Sequence, residues 1–199
     1  MLYRVIETLR LFDVAYQGVD HSVKSRLTGV VIADREGLEY VYSVSDLNNA
    51  KIVNIDANNV EGAVVKAVVM SKLESNKVYA LVAGIDYGKS IGVAIVVDSV
   101  VIYMNRHRSE REVIKIVKLF FNNVEAVKKL VRIGIPTPMI HKSFELFVDM
   151  LNKELPQGVV VELVSEYSTS KSIAYKEMRL DEDSFAALNI AMKSHKAYE

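Results

Sequence analysis

An α/β chain built around a mixed five-stranded sheet is what this sequence predicts, on three observations. A continuous apolar run, Tyr79 to Ile85, has the length and character of a strand buried on both faces. Two further β-rich runs, Ile91 to Val97 and Val100 to Met104, follow after short turns. Amphipathic helical stretches then alternate with β-rich runs to the end of the chain. The polar stretch Lys72 to Lys77 separates this pattern from a different one before it. The expected organisation is a small α+β domain over residues 1–77, followed by β-β-β-α-β-α-β-α over residues 78–199.

In the first region, Val5, Ile6, Leu9 and Phe12 recur at helical spacing and predict a helix over Tyr3 to Tyr16. Leu27 to Ala33 and Leu38 to Val44 read as the arms of a hairpin closed by Asp34-Arg35-Glu36-Gly37, with Gly37 supplying the φ > 0 residue. Val60 to Leu73 reads as a second helix, despite β-branched valine pairs.

In the second region, Asp86 to Ser90 and Asp98-Ser99 are the turns of an antiparallel meander. Ser109 and Glu112 fit a capping box opening a helix to about Leu130, with Val113, Ile116, Val117 and Phe120 on one face. Val131 to Ile135 is a strand stopped by Pro136 and Pro138. Ser143 to Leu155 is a helix with Phe144, Phe147, Val148 and Leu151 inward, and Val159 to Val164 is the last strand. A closing helix over Glu182 to Lys196 buries Phe185, Leu188, Ala191 and Met192. Crossover helices of this kind set the later strands parallel to the first and beside it.

Composition narrows the chemistry. The chain has 199 residues with 25 Lys plus Arg and 25 Asp plus Glu, so its formal net charge is zero and bulk charge makes no case for nucleic acid. Without cysteine there is no disulfide, thiolate nucleophile or cysteine-rich zinc site, and a reducing, cytoplasmic setting is expected. No secretory leader or membrane span is expected.

Ligands of open sheets with crossover helices bind at the carboxyl ends of the strands. Asp86 ends the first strand of the second region, Glu166 follows the last, and Asp183 opens the closing helix. Carboxylates gathered from separate elements repel one another, and a divalent cation holds them ionised; hard oxygen donors select Mg²⁺ or Mn²⁺.

Four segments carry a resemblance. Gly84-Ile85-Asp86-Tyr87-Gly88-Lys89-Ser90-Ile91-Gly92-Val93-Ala94 resembles a D-x-G-x-K-R-I-G-V-A signature, one residue shorter and with Ser at a usually basic position. Ile133-Gly134-Ile135-Pro136 is similar to V-G-L-P, Ser165-Glu166-Tyr167-Ser168-Thr169 to D-E-R-x-[ST]-[ST], and Asp183-Ser184-Phe185-Ala186-Ala187-Leu188 to D-S-x-A-A-x. Residues 78–199 thus resemble the RNase H-like superfamily, in its YqgF branch of RuvC-type Holliday junction resolvase relatives. The resemblance implies an RNase H-like fold and a Mg²⁺- or Mn²⁺-dependent nuclease with Asp86, Glu166 and Asp183 as metal-binding acids. Its substrate would be branched or structured DNA or RNA. Ser165 and Tyr167 stand where the family has Asp and Arg, and no acid ends Val131 to Ile135, which separates the chain from RuvC proper.

Each candidate has a plainer reading beside it. Asp86 is also a turn residue accepting backbone bonds, Glu162 lies on the same strand face as Glu166, and Asp181, Glu182 and Asp183 all suit a helix N-terminus. Asp181 is a further possible ligand. Lys89, Arg106 and Arg108 on one side and Lys171, Lys176 and Arg179 on another are the expected phosphate contacts, or ordinary surface charge. His21, His141, His195 and the run Ser168-Thr169-Ser170 form no metal-ligating or nucleophile–base pattern. Residues 1–77 are a candidate homodimer contact. A non-catalytic RNase H-like binding module is the competing expectation.

Overall fold

The computed structural model describes residues 1–12, 14–19, 27–44, 47, 49–73, 75, 77–135, 142–165 and 181–193. The chain forms two compact units, Met1–Asn76 and Lys77–Glu199.

The first unit holds α1 (Leu2–Leu9), β1 (Thr28–Ala33), α2 (Arg35–Val44), β2 (Asn49–Asn54) and α3 (Val60–Lys72). β1 and β2 run parallel, from Thr28 opposite Asn49 to Ala33 opposite Asn54. The expected hairpin is therefore wrong: its second arm is a crossover helix. The physical reason sits at Asp34, whose carboxylate accepts from the Gly37 amide at 2.8 Å while its carbonyl accepts from Leu38 N–H at 2.8 Å. Gly37 thus lies in a first helical turn that Asp34 caps, not in a reverse turn. β2 escaped the reading because Asn49, Lys51 and Asn54 mask its apolar residues. α1 is also shorter than expected. Beyond it, Leu11 and Phe12 amides bond three residues back, to Thr8 and Leu9, and tighten the chain out of the helix. Val53, Ile55, Val60, Ala63 and Ala67 form the core of this unit.

In the second unit, β3 (Val78–Tyr87), β4 (Ile91–Val97), β5 (Val100–His107), α4 (Glu110–Asn123), β6 (Ala126–Ile135), α5 (Lys142–Glu154), β7 (Val160–Ser165) and α6 (Glu182–Met192) follow in the predicted order. They build a five-stranded sheet of order β5-β4-β3-β6-β7. β4 is antiparallel to both neighbours, whereas β6 is parallel to β3 and β7 to β6. The carboxyl ends of β3, β6 and β7 therefore share one edge. The β4–β5 turn places Asp98 and Ser99 at φ 46° and 70°, and the Asp98 carboxylate accepts from the amides of Tyr79 and Ala80 at 3.0 and 2.8 Å.

Two expectations shift here. α4 ends at Asn123, not near Leu130, and β6 begins at Ala126; Lys129 reaches back to the Phe121 carbonyl at 2.7 Å. Ser109 is the N-cap of α4, yet its hydroxyl makes no capping bond. Glu112, the expected partner in the box, has its carboxylate 3.6 Å from His107 instead.

Residue alternation divides the sheet between two helical layers. One face carries Leu81, Ala83, Ile85, Val93, Ile95, Val131 and Ile133, all buried, with the phenylalanines of α4 and α5; Tyr87 packs on Phe144 and Phe147, and Tyr103 on Phe120. The other carries Val82, Ala94, Val96 and Met104 against Ala187, Leu188 and Ala191 of α6. The buried stripe of α6 is Ser184, Ala187, Ile190 and Ala191, while Met192 is exposed. This rotates the helix from the expected Phe185–Met192 stripe. Gly84 explains it: a Cβ there would run into the backbone of Ala187 and Ala191, so α6 lies close enough to the sheet that only small residues fit between. Among the described residues, no helix is long and apolar enough to cross a membrane.

Candidate functional site

At the carboxyl edge of β3, Asp86 stands opposite Gly92 of β4 on one side and Gly134 of β6 on the other. Its neighbours in that row add no side chain, and alternation sets Asp86, half-buried, on the α6 face of the sheet. The row continues outward to Arg106, which is opposite Gly92 and exposed.

Gly92 does more than clear space. A Cβ at this position would collide with the carbonyl of Asp183, and the Ser184 nitrogen lies 3.1 Å from the same point. The first turn of α6 therefore rests on the residue directly across from Asp86, and Asp86 and Asp183 come to the same end of the same layer. Ser90, in the β3–β4 turn, donates its hydroxyl hydrogen to Asp183 Oδ2 and fixes that carboxylate from the other side. Asp181, the further possible ligand, is the N-cap of α6 and accepts from the Ser184 amide at 3.0 Å. Ser184 is 1% exposed, and its buried Oγ has no hydrogen-bond partner among the described residues.

Glu162, the alternative to Glu166, is committed elsewhere. It lies opposite Arg132, which in turn is opposite Gly84, one step of the alternation behind the Asp86 row. Arg132 Nε donates to Glu162 Oε2 at 3.0 Å, and the two side chains are 11% and 21% exposed. Arg132 also donates to the carbonyls of Ala191 and Lys193, at 2.9 and 2.5 Å. A guanidinium against the open carbonyls of a helix C-terminus opposes the negative end of the helix dipole. Lys193 adds a bond from Nζ to the Ser165 carbonyl at 2.6 Å. The C-terminal end of α6 is thus tied to β6 and β7, which sets where its N-terminal turn falls. Arg132 went unnoticed in the sequence; its two-residue offset from Gly134 was the signal that it shares a face with Asp86.

The other face of the same edge has a separate character. Tyr87 and Ile91 are cross-strand partners immediately beside Asp86 and Gly92, and alternation turns them away from the acids. With Lys89, Arg108, Glu110 and Arg111 they line a cleft of about 460 Å³. Tyr87 donates its hydroxyl hydrogen to Glu110 at 2.5 Å. Burial, and then the Glu110 carboxylate, push its phenol above the usual tyrosine value and keep it a donor. Of the predicted basic residues, Lys89 and Arg108 line this cleft, while Arg106 lies in the acid row on the opposite face.

Glu166, Lys171, Lys176, Arg179, His21, His141, His195 and Ser168 to Ser170 lie outside the described residues. Among the described residues, no group of three or more His, Cys, Asp and Glu gathers in one place. Asp86 and Asp183, the acids whose elements meet at Gly92, carry hard anionic oxygens of the kind Mg²⁺ and Mn²⁺ prefer, with the buried Ser184 next to Asp183 in sequence.

No protein-family model matches the chain, and no curated protein matches it.

Proposed function

We propose that Lys77–Glu199 is an RNase H-like, YqgF-type nuclease domain that hydrolyses phosphodiester bonds in structured DNA or RNA with Mg²⁺ or Mn²⁺. The observation that carries this reading is that the first turn of α6, at Asp183, packs on Gly92, the cross-strand partner of Asp86, at the carboxyl edge of a mixed sheet. The strand order, with the single antiparallel strand second in sequence and next to the first, agrees with the layout that the sequence motifs imply. So do the small residues Ala187 and Ala191, which admit the closing helix to the sheet.

Asp86 and Asp183 would hold the cation, with Glu166 as the third carboxylate implied by the resemblance. A bound divalent ion supplies Lewis acidity toward the phosphoryl oxygens and lowers the pKa of a coordinated water. The chain's own contribution is placement. Gly92 and Gly134 keep the row beside Asp86 free of side chains, Ser90 orients Asp183, and Asp181 holds the first turn of α6 by capping it. Arg106, in the same row, would meet a phosphate from the β5 side. Arg132 and Glu162 anchor the far end of the helix. In this reading the setting is cytoplasmic, and Met1–Asn76 pairs two copies of the chain; light scattering tests the pairing.

The deciding measurement is cleavage of branched, duplex and single-stranded DNA and RNA substrates with Mn²⁺ or Mg²⁺, by wild-type protein and by Asp86→Asn. Metal-dependent cleavage that Asp86→Asn abolishes while the fold survives supports the proposal. Full cleavage by a folded Asp86→Asn protein removes it. Salt-sensitive nucleic-acid binding without turnover in any metal points to the non-catalytic module.

A further inference from the structure

The cleft behind the acid row holds three cationic side chains, Lys89, Arg108 and Arg111, all exposed. Among the described residues none of the three forms an ion pair, whereas Arg4, Arg10, Arg35, Lys118 and Arg132 each do. Its one carboxylate, Glu110, is engaged by the Tyr87 hydroxyl. A concave surface with uncompensated positive charge attracts an anion carrying several negative charges in a row.

Its position identifies that anion. Asp86 and Tyr87 are consecutive, as are Ile91 and Gly92, and each pair gives one residue to the acid row and the other to the cleft. The turn between β3 and β4 is the ridge between them: Ser90 bonds Asp183 on one side, and Lys89 lines the cleft on the other. A polymer crossing that ridge would touch both.

We infer that this cleft seats the phosphodiester backbone of a single-stranded nucleic-acid arm leading over the β3–β4 turn to or from the acid row. The inference deepens the nuclease reading and rests on it for the direction of the arm. A flexible strand can bend into a cleft of about 460 Å³. Duplex DNA, stiff over about 150 base pairs, resists bending around the end of a sheet, whereas a single strand does not. Arginine forks and a lysine ammonium suit phosphate oxygens. Tyr87 is packed on Phe144 and Phe147 and its hydroxyl is engaged by Glu110, so the charged groups of the cleft address the backbone and not the base sequence.

The test is fluorescence anisotropy of a labelled 20-nucleotide dT strand, over a salt series in EDTA so that no cation at the acids contributes. The proteins are wild type, Lys89→Gln/Arg108→Gln/Arg111→Gln, and the charge-matched control Lys66→Gln/Lys115→Gln/Lys153→Gln. For single strands the slope of log K against log salt changes by about 0.7 per phosphate contact, so the cleft variant should lose about 2 from its slope while the control keeps the wild-type slope. No binding by wild type, equal losses in both triple variants, or displacement of the strand by polyglutamate of equal charge as readily as by unlabelled dT would each overturn the inference. Because binding is read without metal, the two proposals fail separately: a selective slope change with no cleavage upholds the cleft and counts against the nuclease. Cleavage with an unchanged slope does the reverse.

Discussion

The carbonyl of Asp183 lies against the Cα of Gly92, so closely that no side chain fits between them. This contact brings an acid from the end of the chain to the strand beside Asp86. Gly92→Ala should therefore force the first turn of α6 off the sheet. Overpacking of this kind costs about 1–3 kcal/mol, and the obstacle here is backbone, which cannot rotate away. Urea unfolding should place Gly92→Ala well below wild type, whereas Gly18→Ala, with nothing within 4 Å of the added methyl, should stay within about 0.5 kcal/mol. Equal stability of the two variants would show that α6 does not depend on this approach.

If Asp86 and Asp183 hold a cation together, the metal stabilises the fold by mass action. At about 100 times its Kd a ligand adds ~2.7 kcal/mol. Mn²⁺ should raise the Tm of wild type by several degrees and leave Asp86→Asn and Asp183→Asn nearly unmoved. A shift of the same size in all three proteins would place the bound ion elsewhere.

The second unit was legible in the sequence because its strands are long apolar runs and its helices alternate with them: Tyr79 to Ile85, the meander turns and the Ser143 helix needed no tertiary information. The failures lie where the local pattern allows more than one outcome. Asp34 begins a helix instead of closing a hairpin because its bonds go to Gly37 and Leu38, a choice that local pattern leaves open. Glu112 turns to His107 and leaves the capping box unmade. At the candidate site, the motifs single out Asp86 and Asp183, but not Gly92 as the point of contact between their elements or Arg132 as the anchor of α6. Their roles depend on which strands are neighbours and how near a helix approaches. Glu162 reads as a rival acid in the sequence, and it is the β6–β7 pairing that sets Arg132 across from it.

That anchor makes its own prediction. Arg132→Met leaves Glu162 without its cation and two carbonyls at the end of α6 without a donor. Breaking a fully buried pair costs about 3–5 kcal/mol; with partial exposure here, about 2 kcal/mol is expected. Glu162→Gln, which keeps an acceptor for Arg132, should cost clearly less. In the double variant the two losses should fall short of their sum, since each partner's removal already breaks the same pair. Strict additivity in urea unfolding would deny that the two side chains act together.

His107 gives the chain a pH-dependent element near the cleft. Its ring stacks on Tyr103 and is 11% exposed; Nε2 lies 2.9 Å from the Tyr103 hydroxyl, and Nδ1 lies 3.6 Å from Glu112 Oε2. Burial lowers the imidazole pKa below 6.5, and the Glu112 carboxylate only partly reverses that. Burial also raises the Tyr103 phenol, which keeps it protonated and able to donate to a neutral ring. The unfolded chain thus takes up the proton at a higher pH than the folded one. The stability due to neutral His107 is complete above pH about 6.5 and is lost as pH falls from there through the lower, folded-state pKa. Wild type should lose stability between pH 7.5 and 5.5, and His107→Gln, which retains a partner for Tyr103 but cannot titrate, should lose less over the same interval. Parallel pH profiles of the two proteins in urea unfolding would mean that His107 binds its proton equally in both states.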